Sequence, residues 1–268
     1  MSTLKHGDRN QAVLALQRAL NMRGAGLFLD GHYGDATEAA VREFQRSAGL
    51  VVDGIAGPKT QAVIAGIDCS RLLLQADIEA AAEKLGVPVA AVLAVNEVES
   101  AGAGFLDNGK PKILFERHVF ARRLEAAGYD IDALAARYPL IVNPRAGGYI
   151  GGVAEHQRLA QACQIDKACA LESASWGLFQ IMAYHWQLLG YASAQEFTTR
   201  MARSEGEQLD AFVRFIIADP DLHKALKGQK WAQFARRYNG PEYARNCYDV
   251  RLARAFERHA PHQLPVAA

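Results

Sequence analysis

Metal-ligand spacing, apolar runs of membrane length and a dominant charge are all missing from this 268-residue chain. Its four cysteines, Cys69, Cys163, Cys169 and Cys247, form no C-x-x-C pair and no zinc spacing. They are expected as free, partly buried thiols, with a Cys163–Cys169 bridge open but required by nothing. The histidines include no H-E-x-x-H pattern, so His118, His156 and His185 are read as structural or surface residues. No metal and no cofactor is expected. Met1 to Asp8 carry no apolar signal core, and no segment approaches spanning length. The expectation is synthesis in the cytoplasm without a signal peptide, and no stable membrane association. With 22% charged residues and a net charge of +1, nothing in the global field favours nucleic acid. Arg245, Arg251, Arg254 and Arg258 recur along the last helical segment and are read as a solvated face.

What is present near the N-terminus is a repeat. Asp30-Gly31-His32-Tyr33-Gly34-Asp35-Ala36-Thr37 returns as Asp53-Gly54-Ile55-Ala56-Gly57-Pro58-Lys59-Thr60, both spelling D-G-x-x-G-x-x-T. Repetition at such a short period marks one supersecondary unit used twice. Each copy reads as a turn followed by a helix start, with Pro58 suited to a first helical position. Between the copies Ala40, Val41 and Phe44 fall at helical spacing.

Gly7, Val13, Leu16-Gln17, Leu20, the repeat itself, Val41, Phe44-Gln45 and Gly49-Leu50 together resemble the small three-helix peptidoglycan-binding domain. The resemblance covers residues 1–66 and implies a cell-wall ligand without locating it. Tyr33, Arg42 and Gln45, polar or aromatic residues between the helices, are the candidate wall contacts.

A short connector, 67–75, follows without a Pro/Ser-rich stretch, and a larger domain is expected over 76–268. Asp77 to Leu85 reads as a helix closed by Gly86, and Pro88 opens another. That second helix, Pro88 to Glu99, is apolar nearly all round and is expected at the centre of the domain. Phe105 to Glu116 holds Asn108-Gly109 between short apolar runs, a hairpin signal. Helices are expected near 118–127, 152–164, 176–190, 193–201, 205–218, 220–227, 230–238 and 241–258. The fold class is therefore mainly α, with one short β-hairpin in the larger domain.

Glu99 ends the buried helix. Desolvation and the negative end of the helix dipole both disfavour its charged form. A carboxyl held protonated near neutral pH is what a general acid for glycosidic cleavage needs. Glu97, about 200° away around the helix, is read as a surface charge. Glu99-Ser100, Ser175-Trp176-Gly177-Leu178-Phe179-Gln180-Ile181-Met182 and Tyr238-Asn239-Gly240-Pro241 resemble, in order, three motifs of lytic transglycosylases and goose-type lysozymes. Val95 to Ser100, Ile113 to His118, Gly148 to Gly152 and Ser173 to Gly177 are similar, more narrowly, to the N-acetylmuramidase family of modular phage endolysins. That likeness runs from about residue 85 to 255 and implies a lysozyme-like fold with a single glutamate, at Glu99, as the acid.

Glu116 is the second candidate carboxylate: it either orients water and steadies the oxocarbenium-like transition state, or pairs with an arginine or caps the helix near His118. Asp107, before Asn-Gly, is ordinary turn chemistry. By the resemblance, Gln180, Tyr238 and Asn239 position substrate, Tyr149 lines the glycan groove, and Trp176 and Phe179 belong to the core. The implied activity is hydrolysis of the β-1,4 bond between N-acetylmuramic acid and N-acetylglucosamine, by a monomer released to the periplasmic wall through holes made by a holin-type partner. A lytic transglycosylase cutting the same bond is the nearest alternative. A wall amidase or peptidase would need zinc ligands or a reactive cysteine in a supportive setting, and a non-catalytic wall-binding protein would be indifferent to Glu99→Gln.

Overall fold

The structure is a computed structural model that describes residues 2–100 and 102–260. The chain separates into two compact units, one ending at Ala80 and the next beginning at Ala81. Among the described residues no helix is long and apolar enough to cross a membrane. The four cysteines are free.

The first unit holds helices α1 (Gln11–Asn21), α2 (Asp35–Ser47) and α3 (Pro58–Ile64), and α4 (Gln75–Leu85) contains the division. Asn10 caps α1 by accepting from the Val13 N–H. Val13, Leu16 and Leu20 then bury one stripe of that helix against Val41 of α2 and Ile64 of α3. The connector packs on this unit: Leu50 bridges Leu74, and the Gln75 N–H donates to Gly49 O at 3.0 Å.

The repeat is closed by a residue outside the repeated string. Gln17 of α1 donates to Asp30 Oδ1 (2.8 Å), His32 O (3.1 Å) and Thr37 Oγ1 (3.1 Å), and accepts from Gly31 N (3.0 Å). Gln45 of α2 makes the same set one copy later, to Asp53 Oδ1 (2.7 Å), Ile55 O (3.0 Å), Thr60 Oγ1 (3.3 Å) and Gly54 N (2.9 Å). Both glutamines are 1% exposed. Each thereby satisfies loop groups that burial would otherwise leave unpaired, at about 1–3 kcal/mol apiece. Gly54 stands at φ 71, and a Cβ there would lie 2.7 Å from Arg42 Nε, which explains that glycine.

This corrects two of the expected wall contacts. Tyr33 is fully buried with its hydroxyl donating to Gly54 O at 2.8 Å, and Gln45 is the buried hub just described. Neither side chain is presented to a ligand. Arg42 is half-buried, paired with Glu38 at 2.8 Å and donating to Val52 O.

The second unit is mainly helical: α5 (Val89–Glu99), α6 (Arg117–Ala126), α7 (Ile131–Arg137), α8 (Val153–Ile165), α9 (Lys167–Glu172), α10 (Ala194–Met201), α11 (Glu205–Ala218), α12 (Pro220–Lys227), α13 (Trp231–Asn239) and α14 (Tyr248–His259). Ala90 to Val95 and Val98 are all buried, so α5 is central as its composition requires, and α14 packs along it. Residues 261–268 of the expected domain lie outside the described residues.

A three-stranded antiparallel sheet, β1 (Ile113–Phe115), β2 (Ala174–Trp176) and β3 (Ile181–Met182), lies beside the helices in the order β1-β2-β3. Here the expected hairpin is present only as a narrow turn, with Leu106 N donating to Lys110 O and Lys112 N to Gly104 O, each at 2.8 Å. Phe105 and Pro111 form only one bridge around the Asn108-Gly109 turn, and β1 pairs instead with β2, Leu114 opposite Ser175. The helix expected at 176–190 is absent. Trp176 belongs to the sheet, and Gly177 (φ 74) turns the chain where Gln208 occupies the space of a Cβ, 2.5 Å from its position. Segment 241–258 divides at Cys247 (φ 49) into a 3-10 turn and α14. Helices α7 and α9 were not anticipated.

Candidate active site

Glu99 is the last residue of α5, and Ser100 leaves the helix with extended backbone. Its carboxylate is half-buried and accepts from Asn239 Nδ2 at 3.0 Å. Burial pushes its pKa up; the Asn239 bond and the Arg251 charge pull the other way without cancelling it, so the carboxyl sits above the ordinary range. Glu97, two residues earlier, has the opposite setting. His259 Nε2 at 2.9 Å and Arg258 pair with it, and they hold it below its usual value despite partial burial. One helix end thus carries two glutamates with different proton affinities.

Asn239 ends α13, and Tyr238 beside it packs among Phe212, Phe215 and Phe234. Burial, followed by the charges of Glu99 and Tyr248, raises the Tyr238 pKa, so it remains a neutral donor. Its hydroxyl donates to Phe179 O at 3.4 Å. The motif around 238–239 and Glu99 therefore meet although 139 residues of chain separate Glu99 from Tyr238.

Gln180 is held in left-handed backbone at φ 51. Its Oε1 accepts from Ser175 Oγ (2.9 Å) and its Nε2 donates to Gly177 O (2.8 Å), so both ends of the amide brace the turn between β2 and β3. Behind that turn Gln208, 1% exposed, accepts from Leu178 N (2.7 Å) and donates to Gly104 O (3.3 Å) and Met201 O (2.8 Å). Glu205 accepts from Gly104 N at 2.8 Å. The first turns of α11 therefore tie the 102–112 loop to the 177–180 turn. Trp176 and Phe179 are buried.

Glu116 follows β1 and stands at the N-cap of α6, where its side chain makes no cap bond. It accepts from the Tyr149 hydroxyl at 2.8 Å, and His118 Nδ1 lies 3.2 Å away. Tyr149 is 47% exposed. Its loop is fixed from below by Glu155, whose two oxygens accept from Ile150 N (2.8 Å), Gly151 N (3.0 Å) and Phe115 N (3.0 Å). Arg158 pairs with Glu155 at 2.8 Å and donates to Phe115 O and Leu140 O. Burial pushes the Glu155 carboxyl up, but these donors hold it below the ordinary range.

Sequence reasoning missed Glu155, Arg158, Glu205 and Gln208. Ser204 and Glu207 do spell a capping pattern for α11, yet nothing in it says that Glu205 and Gln208 face inward. Among the described residues no group of three or more His, Cys, Asp or Glu side chains is arranged to hold a metal ion. A cavity of about 470 Å³ at α12 and α13, with Lys224, Lys230, Arg236 and Arg237 in its lining, shares no lining residue with this site.

Comparison with known proteins follows the same division of the chain. The N-acetylmuramidase family matches residues 88–260, and a peptidoglycan binding domain family matches residues 9–64. The crystal structure of the Burkholderia AP3 phage endolysin is similar at 55% identity, covering 96% of this chain and 99% of that one, with a TM-score of 0.91. No curated protein matches.

Proposed function

The chain belongs to the N-acetylmuramidase family and is a peptidoglycan-hydrolysing endolysin, and on that premise we propose that Glu99 is its catalytic acid. The observation that carries this reading is a half-buried carboxyl at a helix end, raised in pKa and touched by one neutral amide. Protonated Glu99 gives its proton to the glycosidic oxygen as the bond from C1 of N-acetylmuramic acid to O4 of N-acetylglucosamine breaks. The resulting carboxylate then takes a proton from the water whose oxygen bonds to C1. Asn239 orients the carboxyl through its 3.0 Å bond. Tyr238, kept neutral by burial, walls that side of the site.

Glu116 enters this reading through Tyr149. Its bond to the tyrosine hydroxyl holds an exposed ring where a glycan strand can lie against it. Gln180 acts less directly, by bracing the 177–180 turn. The domain reading remains a wall-binding module over 1–66, a connector at 67–75 and a catalytic domain from 76. Joining them raises the local concentration of enzyme at the wall without any further catalytic contact. Release of a monomeric enzyme from the host cytoplasm through holin-type lesions completes the proposal, supported by the likeness to a phage endolysin.

Mass spectrometry of purified peptidoglycan digested by the parent and by Glu99→Gln tests it. Reducing N-acetylmuramic ends from the parent alone are the expected result. Ends lighter by one water would make the enzyme a lytic transglycosylase, and cleaved stem peptides on intact glycan would remove Glu99 from the mechanism.

A further inference from the structure

The two repeats share their hydrogen-bonded closure but not the chain that leads into it. Gln17 reaches an aspartate thirteen residues on, whereas Gln45 reaches its counterpart eight residues on. Of those five extra residues, two lengthen α1 past its glutamine and three lengthen the loop that follows, 22–29 against 48–52. There Phe28 is 91% exposed, Met22 83% and Leu29 50%. Phe28 and Met22 are the most exposed large hydrophobic side chains among the described residues. Counted back from the two aspartates, Val51 and Val52 match Phe28 and Leu29 and are half-buried, while Leu50, buried at 4%, matches Leu27, itself packed on the core.

Closing the repeat does not require the longer loop, because the second copy closes with the shorter one at 48–52. Nor is the loop loosely held. Asn21 donates to Leu27 O at 2.8 Å and accepts from Leu27 N at 2.7 Å, and Arg23 donates to Ile64 O at 2.8 Å. Ala25 N returns to Leu20 O at 3.2 Å. The backbone is therefore braced so that Phe28 and its neighbours stand in water, against the hydrophobic effect. Insertions in one copy of a repeated unit map to loops that often form the binding face.

We propose that the Met22–Leu29 loop is the wall contact of the N-terminal unit, with Phe28 packing on the apolar face of an N-acetylated hexosamine ring of the glycan strand. The proposal rests on the reading of that unit as a peptidoglycan-binding domain. The loop's one charged side chain, Arg23, is engaged by Ile64 O and lies over the Phe44 ring at 5.8 Å. What the loop offers is an uncharged aromatic plane flanked by the exposed backbone of Gly24 and Gly26. That chemistry suits C–H faces and acetamido groups, and the loop's single cation, Arg23, is directed to the Ile64 carbonyl and the Phe44 ring.

The test uses the full chain carrying Glu99→Gln, so that sacculi stay intact, and measures co-sedimentation with purified sacculi across concentration. Phe28→Ala in that background should weaken binding about tenfold or more while its thermal midpoint stays with the parent, and Phe28→Trp should keep parental affinity. Peptide-free glycan should compete and isolated stem peptides should not. Equal binding by Phe28→Ala, or competition by stem peptides alone, overturns the proposal. If the Glu99→Gln parent itself fails to sediment with sacculi, the wall-binding reading of the unit falls first.

Discussion

Two carboxylates of the same unit, Glu99 and Glu155, are both withdrawn from water and end with opposite proton affinities. Glu155 is fully buried yet stays below the ordinary range, because three backbone N–H groups and Arg158 meet its oxygens. Glu99 is less buried yet raised, because the bond from Asn239 and the charge of Arg251 do not offset its desolvation. Burial sets the size of the penalty, and the donors decide whether it is cancelled. The fully satisfied glutamate holds a loop in place. The under-satisfied one holds a proton more tightly than an ordinary glutamate does.

The sharpest way to break this contrast is Glu99→Gln. Hydrolysis of sacculi, followed by turbidity, should fall by about 10²–10⁴-fold. The same variant should melt at higher temperature than the parent at neutral pH. A carboxyl whose folded pKa is raised lends stability below its unfolded value, near pH 4.3, and loses it as pH rises through the folded value. Below about pH 4 the two melting curves should converge.

Glu155→Gln should do the reverse. Stripping the charge that neutralises buried Arg158 costs roughly 3–5 kcal/mol, read as a lowered midpoint in denaturant unfolding. Glu155 also carries an acid dependence. Its depressed folded pKa gives stability that is present above the unfolded value and disappears as pH falls through the folded one, so the variant's stability should be flatter with pH on the acid side.

Asn239→Ala is a finer probe. It removes a bond that lowers the Glu99 pKa, so the alkaline limb of the kcat/KM profile should move to higher pH, with kcat down by about tenfold. An unmoved limb would separate Asn239 from the titration of the acid. Tyr149→Phe should be mildest, raising KM about two- to fivefold through loss of one hydrogen bond to Glu116, while kcat is retained.

Much of the architecture is legible in the sequence. The apolar run of α5 announced a central helix, the doubled D-G-x-x-G-x-x-T string announced a twice-used turn and helix, and Glu99 stood out by its place at a helix end. Other expectations failed for identifiable reasons. Tyr33 and Gln45 read as polar groups free for a ligand, but a buried polar group and an exposed one are spelled alike until their partners are known. A helix was expected over 176–190, yet Trp176 pairs with Ile113, 63 residues earlier in the chain, and Ile181 and Met182 pair back onto β2. Glu155 and Gln208 were invisible because most of their partners are backbone N–H and C=O groups, which every sequence contains.

The sequence by itself determined the two-part organisation, the predominance of helix and the candidate acid, because periodicity, turn glycines and a helix terminus are local properties of the chain. Only the tertiary structure decided which carboxylate is raised in proton affinity and which is lowered. That choice depends on a donor from α13 and a charge from α14 brought to Glu99 and on donors from β1 and the 150–151 loop brought to Glu155, and such contacts act across space at a few ångströms, whatever the distance along the chain.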